Sequence, residues 1–387
     1  MNKIILLFLF VSSNLLAQNV LLNKLEAQVD FSLNELSRLS KTAGNKVSPR
    51  TVRNDSLILV APKDWCSGFF AGNLWYLYEL TGKKKWAAQA ENFTNPLEKE
   101  KMNAGTHDMG FKMFTSFGNG YRIDQNPAYK EILIQSARTN IKRFNPNTGV
   151  IRSWDHSRDK WVNPTIIDNM MNLELLFWAF KETRDSAFYK VAVSHANTTM
   201  KNHFRPDFSS YHVIDYDPNT GQVLKKNTHQ GFAHESSWAR GQAWALYGYT
   251  VCYRETGKKE YLQLAENIAQ FLLKHPRMPQ DLVPFWDFDD PKIPNVPRDA
   301  SAAAIMASAF YDLATLQPDK KAYYQGYADQ ILSSLSSPAY LAPVGSAHGM
   351  LLLHSTGGLP NGFEVDAPII YADYYFLEAL VRQKNKK

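Results

Sequence analysis

Cysteine is nearly absent from the 387-residue sequence, which contains only Cys66 and Cys252. Two cysteines make no disulfide framework and no cysteine-rich metal cluster. Each cysteine lies beside an aromatic residue, Trp65 or Tyr253, which favours two small side chains in the core. A single bridge between them would require an oxidising compartment.

Long runs of like charge are also missing. The 43 basic and 37 acidic residues are interspersed and leave a formal net charge of +6, with a pI near 9.0. Because no run of lysine and arginine is long enough to resemble a nucleic-acid arm, we expect no nucleic-acid partner. The small basic excess favours an anionic partner only weakly.

The one long apolar run is at the N-terminus. It covers residues 4–16, roughly thirteen residues, which is too short to span a bilayer. Lys3 before it and Ala17 after it complete the pattern of a cleaved signal peptide. No cysteine follows directly, so a lipid anchor is not expected. We therefore expect residues 1–17 to be a signal peptide and 18–387 a single exported domain, periplasmic in a Gram-negative source, with no membrane partner.

What the sequence does contain is a recurring pair of helices. A helix rich in aromatic and small residues is followed by a short polar connector and then by a more amphipathic helix, as in GFFAGNLWYLYELTGKKKW from Gly68. Connectors such as Thr81-Gly82 and Thr256-Gly257 carry helix-ending residues. Five such pairs begin near Gly68, Gly110, Leu175, Gln242 and Ser301.

These pairs predict an all-α fold, an (α/α)6 barrel of six helical hairpins closed into a toroid. The first helix of each pair is apolar nearly all round, as in a buried inner ring, and the second is amphipathic, as in an outer ring. Helices at about 21–39 and about 368–384 would complete the sixth pair if they pack together. We also expect a β-hairpin in Tyr211–Leu224 and a short strand within Asn145–Trp154.

Polar and aromatic residues precede the predicted inner helices. In a ring of up-down hairpins every inner helix begins at the same rim, so residues that are far apart in sequence should meet in one cup-shaped opening. They are Asp64, Trp65, His107, Asp108, Asp168, Trp238, Arg240, Asp299 and Asp366.

Two of these carboxylates, Asp108 and Asp168, have distinctive surroundings. Asp168 heads the otherwise apolar segment NPTIIDNMMNLELLFWAF. A desolvated carboxyl group near a second carboxylate keeps its proton near neutral pH, so it can act as a general acid. Paired carboxylates in an aromatic cup indicate glycosidic chemistry. The histidines are too dispersed for a zinc site, so we expect no metal and no cofactor.

Each of these residues could instead have a purely structural role. Aspartate is a favoured helix N-cap, and taken singly each carboxylate is more often a cap than a catalyst. We expect Asp299 and Asp366 to be caps. Arg240 could be a buried ion-pair partner, and Trp238 and Trp244 could be ordinary core residues.

Four segments carry a resemblance to a known family: THDMGF, IIDNMMNLELLFWA, THQGFAHESSWARGQAWALYG and EVDAPIIYADYYFLEAL. Over nearly the whole chain that follows residue 17, the sequence resembles the unsaturated glucuronyl hydrolases of glycoside hydrolase family 88. The resemblance implies an (α/α)6-barrel enzyme that acts after polysaccharide lyases. It would remove the 4,5-unsaturated uronic acid from the non-reducing end of glycosaminoglycan fragments by hydrating the C4=C5 vinyl ether.

The same resemblance implies roles for individual residues. Asp168 would be the general acid and base, and Asp108 the second carboxylate, which holds sugar hydroxyls and raises the pKa of Asp168. Trp161 is the alternative to Trp154 as one aromatic wall. Arg240, or helix N-termini at the rim, would pair with the substrate carboxylate. The residues implied to bind substrate are Trp65, His107, Trp154, His212, Gln230, Trp238, Arg240, Trp244 and Ser355.

The loop HSTGGLPNGFEVD, from His354 to Asp366, resembles the region that meets the second sugar, and it contains no lysine or arginine. Heparan, chondroitin and hyaluronan fragments, sulfated or not, therefore stay open as substrates. We expect a monomer or a weak oligomer. Competing interpretations are an unsaturated rhamnogalacturonyl hydrolase on pectin fragments, a sugar epimerase, which would need a histidine pair, and a non-catalytic exported sugar-binding protein. The presence of both carboxylates argues against the last.

Overall fold

A computed structural model of the chain describes residues 2–44 and 47–385, with side chains described from residue 18 onward. The predicted signal peptide, residues 1–17, lies outside the described side chains. The α-helices of the described residues are α1 Asn2–Ser40, α2 Phe69–Thr81, α3 Lys84–Thr94, α4 Asn119–Asp124, α5 Pro127–Ile141, α6 Leu173–Thr183, α7 Ser186–Asn202, α8 Ala239–Thr256, α9 Lys259–Lys274, α10 Ala300–Leu316, α11 Lys321–Leu335 and α12 Ile370–Lys384. None of them is long and apolar enough to cross a membrane.

Six helical segments form a closed inner ring. A π-helical segment, Gly110–Gly118, continues into α4, and the two together form one inner helix. This unit contacts α2 and α6, then α6 contacts α8, α8 contacts α10, α10 contacts α12, and α12 contacts α2. Helices α3, α5, α7, α9 and α11 each follow an inner helix in the chain and pack outside the ring. The predicted (α/α)6 barrel is confirmed.

Helix α1 takes the sixth outer position. Glu26 on α1 accepts hydrogen bonds from Lys83 Nζ, at 2.7 Å, and from Trp86 Nε1, at 2.9 Å. Gln28 on the same helix donates to the carbonyl of Met350 at 2.8 Å. Residues of α1 and α12 border one groove, but the polar contacts that hold α1 are mainly with the start of α3 and with the segment near Met350.

Short β-strands lie at the loops between hairpins. They are β1 Ser48–Arg53, β2 Ser56–Val60, β3 Phe144–Asn145, β4 Val150–Ile151, β5 Pro164–Ile166, β6 Val213–Tyr216 and β7 Val223–Asn227. β6 pairs with both β5 and β7, and β3 pairs with β4, so the predicted hairpin and the predicted short strand are confirmed. The β1–β2 hairpin was not predicted. Its turn, Asn54-Asp55, has positive φ at both residues, which is the signature of a type I′ turn.

The core is continuous through the inner ring. Helix α10, which reads ASAAAIMASAFYDLATL, is buried along most of its length, and its small side chains let α8 and α12 approach closely. Cys66 and Cys252 are both buried and both free. They are small core residues, as expected, and they form no bridge.

Candidate active site

The barrel has a cavity at each end. The larger, about 490 Å³, lies at the C-terminal ends of the inner helices. The charged side chains of this larger cavity are paired with one another, so little unpaired charge remains to attract a ligand. The pairs are Arg122 with Glu79, Arg254 with Glu174, and Arg382 with Glu378. We therefore assign the ion pairs at this end of the barrel a structural role.

The smaller cavity, about 220 Å³, lies at the opposite rim, where the inner helices begin. The predicted convergence holds for five of the nine rim residues, Trp65, His107, Asp108, Asp168 and Arg240, which line this one cavity, whereas Asp64, Trp238, Asp299 and Asp366 do not. The residues that line the cavity are Arg50, Trp65, His107, Asp108, Phe111, Trp154, His156, Ile166, Asp168, His229, Gln230, Arg240, Phe363, Glu364 and Tyr371.

Several buried polar side-chain atoms without a hydrogen-bond partner among the described residues lie in the lining of this smaller cavity or directly behind it. Unsatisfied buried polar atoms are rare in native proteins, since each costs about 1–3 kcal/mol. Asp168 Oδ2 and Tyr371 OH belong to lining residues and are available to a polar ligand. The unpartnered atoms behind the lining include His212 Nε2, Trp238 Nε1 and Ser355 Oγ.

A glycine brings the segments of the two carboxylates together. Gly110 opens the π-helical segment that follows Asp108, and a Cβ on it would lie only 2.7 Å from the Cα of Asn172. The next residue, Phe111, donates its backbone N–H to Asn172 Oδ1 at 3.1 Å. Asn172 ends the 3₁₀ turn that holds Asp168. A larger side chain than hydrogen at Gly110 would push the two carboxylates apart.

Asp168 is held by the small sheet. It lies in the first turn of the 3₁₀ helix that follows β5 directly, and the preceding residue, Ile167, donates its N–H to the carbonyl of His212 at 3.0 Å. Asp168 is 8% exposed, and burial raises its pKa to about 7. The negative charge of Asp108 raises this pKa further, whereas the positive charge of Arg240 lowers it. The direction agrees with the sequence prediction.

Asp108 lies at the cavity beside His107. Thr106 Oγ1 donates to Asp108 Oδ2 at 3.0 Å, and His107 Nε2 is 3.1 Å from Oδ1. His107 is anchored through Nδ1, 2.8 Å from the carbonyl of Ser153, and burial lowers its pKa. The hydrogen bond from Thr106 therefore holds Oδ2 of Asp108, whereas His107 Nε2 makes no hydrogen bond within the described part of the chain.

His212 lies behind Asp168, and its neutral imidazole ring faces the carboxyl group. Its Nδ1 accepts the backbone N–H groups of His229, at 3.1 Å, and Gln230, at 3.2 Å. Burial holds the pKa of His212 well below its usual range, so the neutral ring carries its proton on Nε2. That nitrogen is 3.7 Å from Asp168 Oδ2, just beyond hydrogen-bonding distance.

Arg240 is tied into the protein. Its Nη1 donates to Asp299 Oδ2 at 2.8 Å and to the carbonyl of Thr356, and its Nη2 donates to the carbonyl of Gly357 at 2.5 Å. Gln230 Nε2 donates to the same Gly357 carbonyl at 2.8 Å. The interpretation of Arg240 as a buried ion-pair partner is confirmed. Its pairing with a substrate carboxylate stays a prediction.

The aromatic walls are partly as predicted. Trp65 lines the cavity, its ring centroid 5.1 Å from that of Tyr371. Trp154 lines it too, 5.3 Å from the ring of His229, whereas Trp161 is 5% exposed and packs behind Trp154. The choice of Trp154 over Trp161 therefore agrees with the geometry.

Four predicted substrate-binding residues are not among the lining residues. Trp244 is fully buried beside Phe111 and Tyr371, and therefore cannot be an exposed stacking wall. The other three are also buried behind the lining, because neighbouring side chains cover them: His212, Trp238 and Ser355.

Of the two residues predicted to be helix N-caps, one is a cap and the other is not. Asp299 does cap α10, because its Oδ1 accepts the N–H of Ser301 at 3.1 Å. Asp366 does not cap α12, whose N-cap is Ile369. It lies too far before the helix and instead contacts His354, with 2.7 Å between Oδ1 and Nδ1.

Sequence reasoning missed an ion-paired cluster at the cavity. Arg50 Nε donates to Glu364 Oε1 at 2.5 Å, and Nη1 donates to Asp64 Oδ2 at 3.0 Å. Arg50 comes from the unpredicted β1–β2 hairpin. Glu364 lies in the loop assigned to the second sugar, and Tyr371 in the segment EVDAPIIYADYYFLEAL, so both had a signal.

Residues 45–255 match the family described as Glycosyl Hydrolase Family 88. The chain is 52% identical to an unsaturated glucuronyl hydrolase of Formosa agariphila, over 84% of this chain and 81% of that protein. It is 32% identical to an unsaturated chondroitin disaccharide hydrolase of Streptococcus agalactiae, over 94% and 92%. A crystal structure of an unsaturated glucuronyl hydrolase specific for heparin superposes with a TM-score of 0.87, at 47% identity, over 93% of this chain and 96% of that one.

Proposed function

Because the chain belongs to glycosyl hydrolase family 88, we propose that it removes the 4,5-unsaturated uronic acid from the non-reducing end of glycosaminoglycan fragments. The observation that carries this proposal is Asp168, a buried carboxyl group with a pKa of about 7 on a cavity that it shares with Asp108. A carboxyl group that keeps its proton near neutral pH can deliver it to carbon in a general acid step.

The chemistry proposed is hydration of the vinyl ether. Asp168 donates its proton to C4, and the resulting carboxylate accepts a proton from the water whose oxygen bonds to C5. The hemiketal formed at C5 opens to a ketone, which leaves a hemiacetal at C1, and this hemiacetal collapses to an aldehyde and releases the next sugar. Atoms balance with one water consumed, and the reaction requires no oxidant or reductant.

The other residues orient the ring. The exposed face of Trp65 offers a stacking surface for the flat unsaturated sugar, and Asp108 offers an acceptor for its hydroxyl groups. The Nε2–H of His212 points toward the carboxyl group that changes charge during the reaction. Fixing the double bond against Asp168 supplies much of the acceleration that a well-oriented site can give.

We propose heparin-derived disaccharides as the preferred substrates. Support comes from the 47% identity to a structure specific for heparin, compared with 32% to a chondroitin disaccharide hydrolase. In addition, Glu364 and Arg50, which are paired with each other, line the wall next to Trp65, so the second sugar meets a polar surface.

The pH dependence follows from the pKa of Asp168. A group with a pKa raised to about 7 is protonated below that value and ionised above it. Since the proposed step needs the protonated form, kcat/KM is expected to be level on the acid side and to fall about tenfold per pH unit above 7. Initial rates on one disaccharide from pH 5 to 9 measure this. A rate that instead rises across pH 7 would contradict the acid role.

Loss of the ultraviolet absorbance of the C4=C5 bond measures the reaction directly. We expect purified protein to bleach unsaturated heparin disaccharides faster than chondroitin or hyaluronan disaccharides, with rhamnogalacturonan products slowest. A fastest rate on chondroitin would overturn the heparin preference alone. A fastest rate on rhamnogalacturonan would favour the pectin enzyme, and binding without bleaching on every substrate would leave a sugar-binding protein.

A further inference from the structure

Asp299 joins three parts of the cavity wall. Its Oδ1 caps α10 through the N–H of Ser301 and also accepts the Ser301 hydroxyl at 2.5 Å, while Oδ2 accepts Arg240 Nη1 from the first turn of α8. The backbone N–H of Thr356, on the loop that closes the cavity, points to Oδ1 at 3.5 Å. Asp299 is fully buried, so no water competes for these contacts.

The cap alone does not explain this arrangement. A helix N-cap needs one side-chain oxygen for the N-terminal N–H groups, and Oδ1 serves that purpose. Oδ2 faces away from α10 to the guanidinium of Arg240, which is also fully buried. A buried ion pair of this kind costs desolvation of both charges, and removing one partner leaves the other uncompensated.

Arg240 is also the cation that acts on Asp168. The groups that face Asp168 are Asp108 from the segment before the π-helix, His212 from the start of β6, and Arg240 from α8. His212 is neutral, because burial lowers its pKa. Burial raises the pKa of Asp168 most, and the opposing charges of Arg240, which favours the ionised form, and Asp108, which favours the protonated form, adjust it further.

Three negative or ionisable groups face Arg240 in turn. They are Asp299, Glu364 from the loop of residues 354–366 (the mouth loop) and Tyr371 from α12, in addition to Asp168 itself. Of these, Asp299 makes the direct ion pair, at 2.8 Å. It is therefore the group that most directly offsets the positive charge of Arg240.

We propose that Asp299 is a positioning residue for the reaction: its ion pair with Arg240 holds the guanidinium against the cavity wall and limits how strongly that positive charge acts on Asp168. The same pair keeps Arg240 bonded to the carbonyls of Thr356 and Gly357, which hold the mouth loop in place. The inference rests on the proposed function, because it assigns Asp299 a part in keeping Asp168 protonated.

The test is Asp299→Asn with a full pH profile. Asparagine is as good an N-cap as aspartate, so α10 keeps its start, although loss of the buried ion pair is expected to lower Tm. Without the carboxylate, the charge of Arg240 is less offset and favours the Asp168 anion. We expect the alkaline limb of kcat/KM to move to lower pH by about one unit, and the rate at pH 8 to fall roughly tenfold while the rate at pH 5.5 changes little.

Ser301→Ala is the matched control. It removes the hydroxyl bond to Oδ1 and weakens the cap, but leaves the pair between Oδ2 and Arg240 intact. We expect a lower Tm and an unmoved alkaline limb. If Asp299→Asn leaves the alkaline limb in place, whatever its effect on Tm, the ion pair with Arg240 does not influence Asp168 and the inference is wrong. If the unmodified protein bleaches no disaccharide, the proposed function fails instead, so the two failures are distinguishable.

Discussion

Replacing Asp168 with asparagine is expected to lower kcat/KM on an unsaturated disaccharide by about 10³-fold, since general acid–base catalysis contributes roughly 10²–10⁴-fold. Asparagine keeps the shape of the side chain but can neither give a proton to C4 nor accept one from water. It also removes a buried ionisable group, which costs energy whenever it is charged. The variant should therefore fold and bind sugar as well as the unmodified protein does.

Bleaching of the double bond at pH 6 measures the loss, and calorimetric titration with the same disaccharide measures binding. Asp185→Asn provides the matched control, because Asp185 caps α7 on the surface and asparagine caps equally well. That variant should keep full activity. Activity of Asp168→Asn within tenfold of the unmodified protein would remove Asp168 from the reaction.

Replacing Asp108 with asparagine should have two effects of separate origin. Loss of the carboxylate weakens the hydrogen bonds to the sugar hydroxyl groups. We therefore expect kcat/KM to fall about 10²-fold, which is typical for the loss of a charged hydrogen bond in an active site. The negative charge of Asp108 also raises the pKa of Asp168. Without it this pKa falls, Asp168 ionises at lower pH, and the alkaline limb of the rate moves to lower pH.

The pH–rate profile separates the two effects. Reduced binding scales the whole profile, whereas the lost charge shifts its limb. Asp217→Asn, in the turn between β6 and β7, makes the same chemical change without touching the cavity and should alter neither. A limb that moved to higher pH in Asp108→Asn would contradict the assigned influence of Asp108 on Asp168.

The helical pairs and the rim could be predicted because they depend on local pattern. Apolar periodicity and connectors such as Thr81-Gly82 determine where helices begin and end, and the ring topology then places Asp108 and Asp168 at one rim. The turn residues Asn54-Asp55 are a local signal for the β1–β2 hairpin, which lies outside the repeating helical pattern and was not predicted. Arg50 was missed with it.

The sequence could not predict whether a given aromatic side chain faces the cavity or is covered by other residues. Trp154 and Trp161 are both tryptophans beside the site, yet one faces the cavity and the other packs behind it. Trp244 matches a stacking wall in the family pattern and is fully buried. Exposure of a side chain is decided by residues distant in sequence, and a motif does not carry that information.

The sequence by itself determined the barrel, the family and the pair of carboxylates, because these follow from periodicity and from motifs with particular residues at particular spacings. Only the tertiary structure decided how those carboxylates are charged. The pKa of Asp168 depends on burial, on Asp108 and on Arg240. The effect of the positive charge of Arg240 depends in turn on its ion pair with Asp299, which lies 59 residues further along the chain. Electrostatic energies depend on distances and on the exclusion of water, which exist only once the chain has folded.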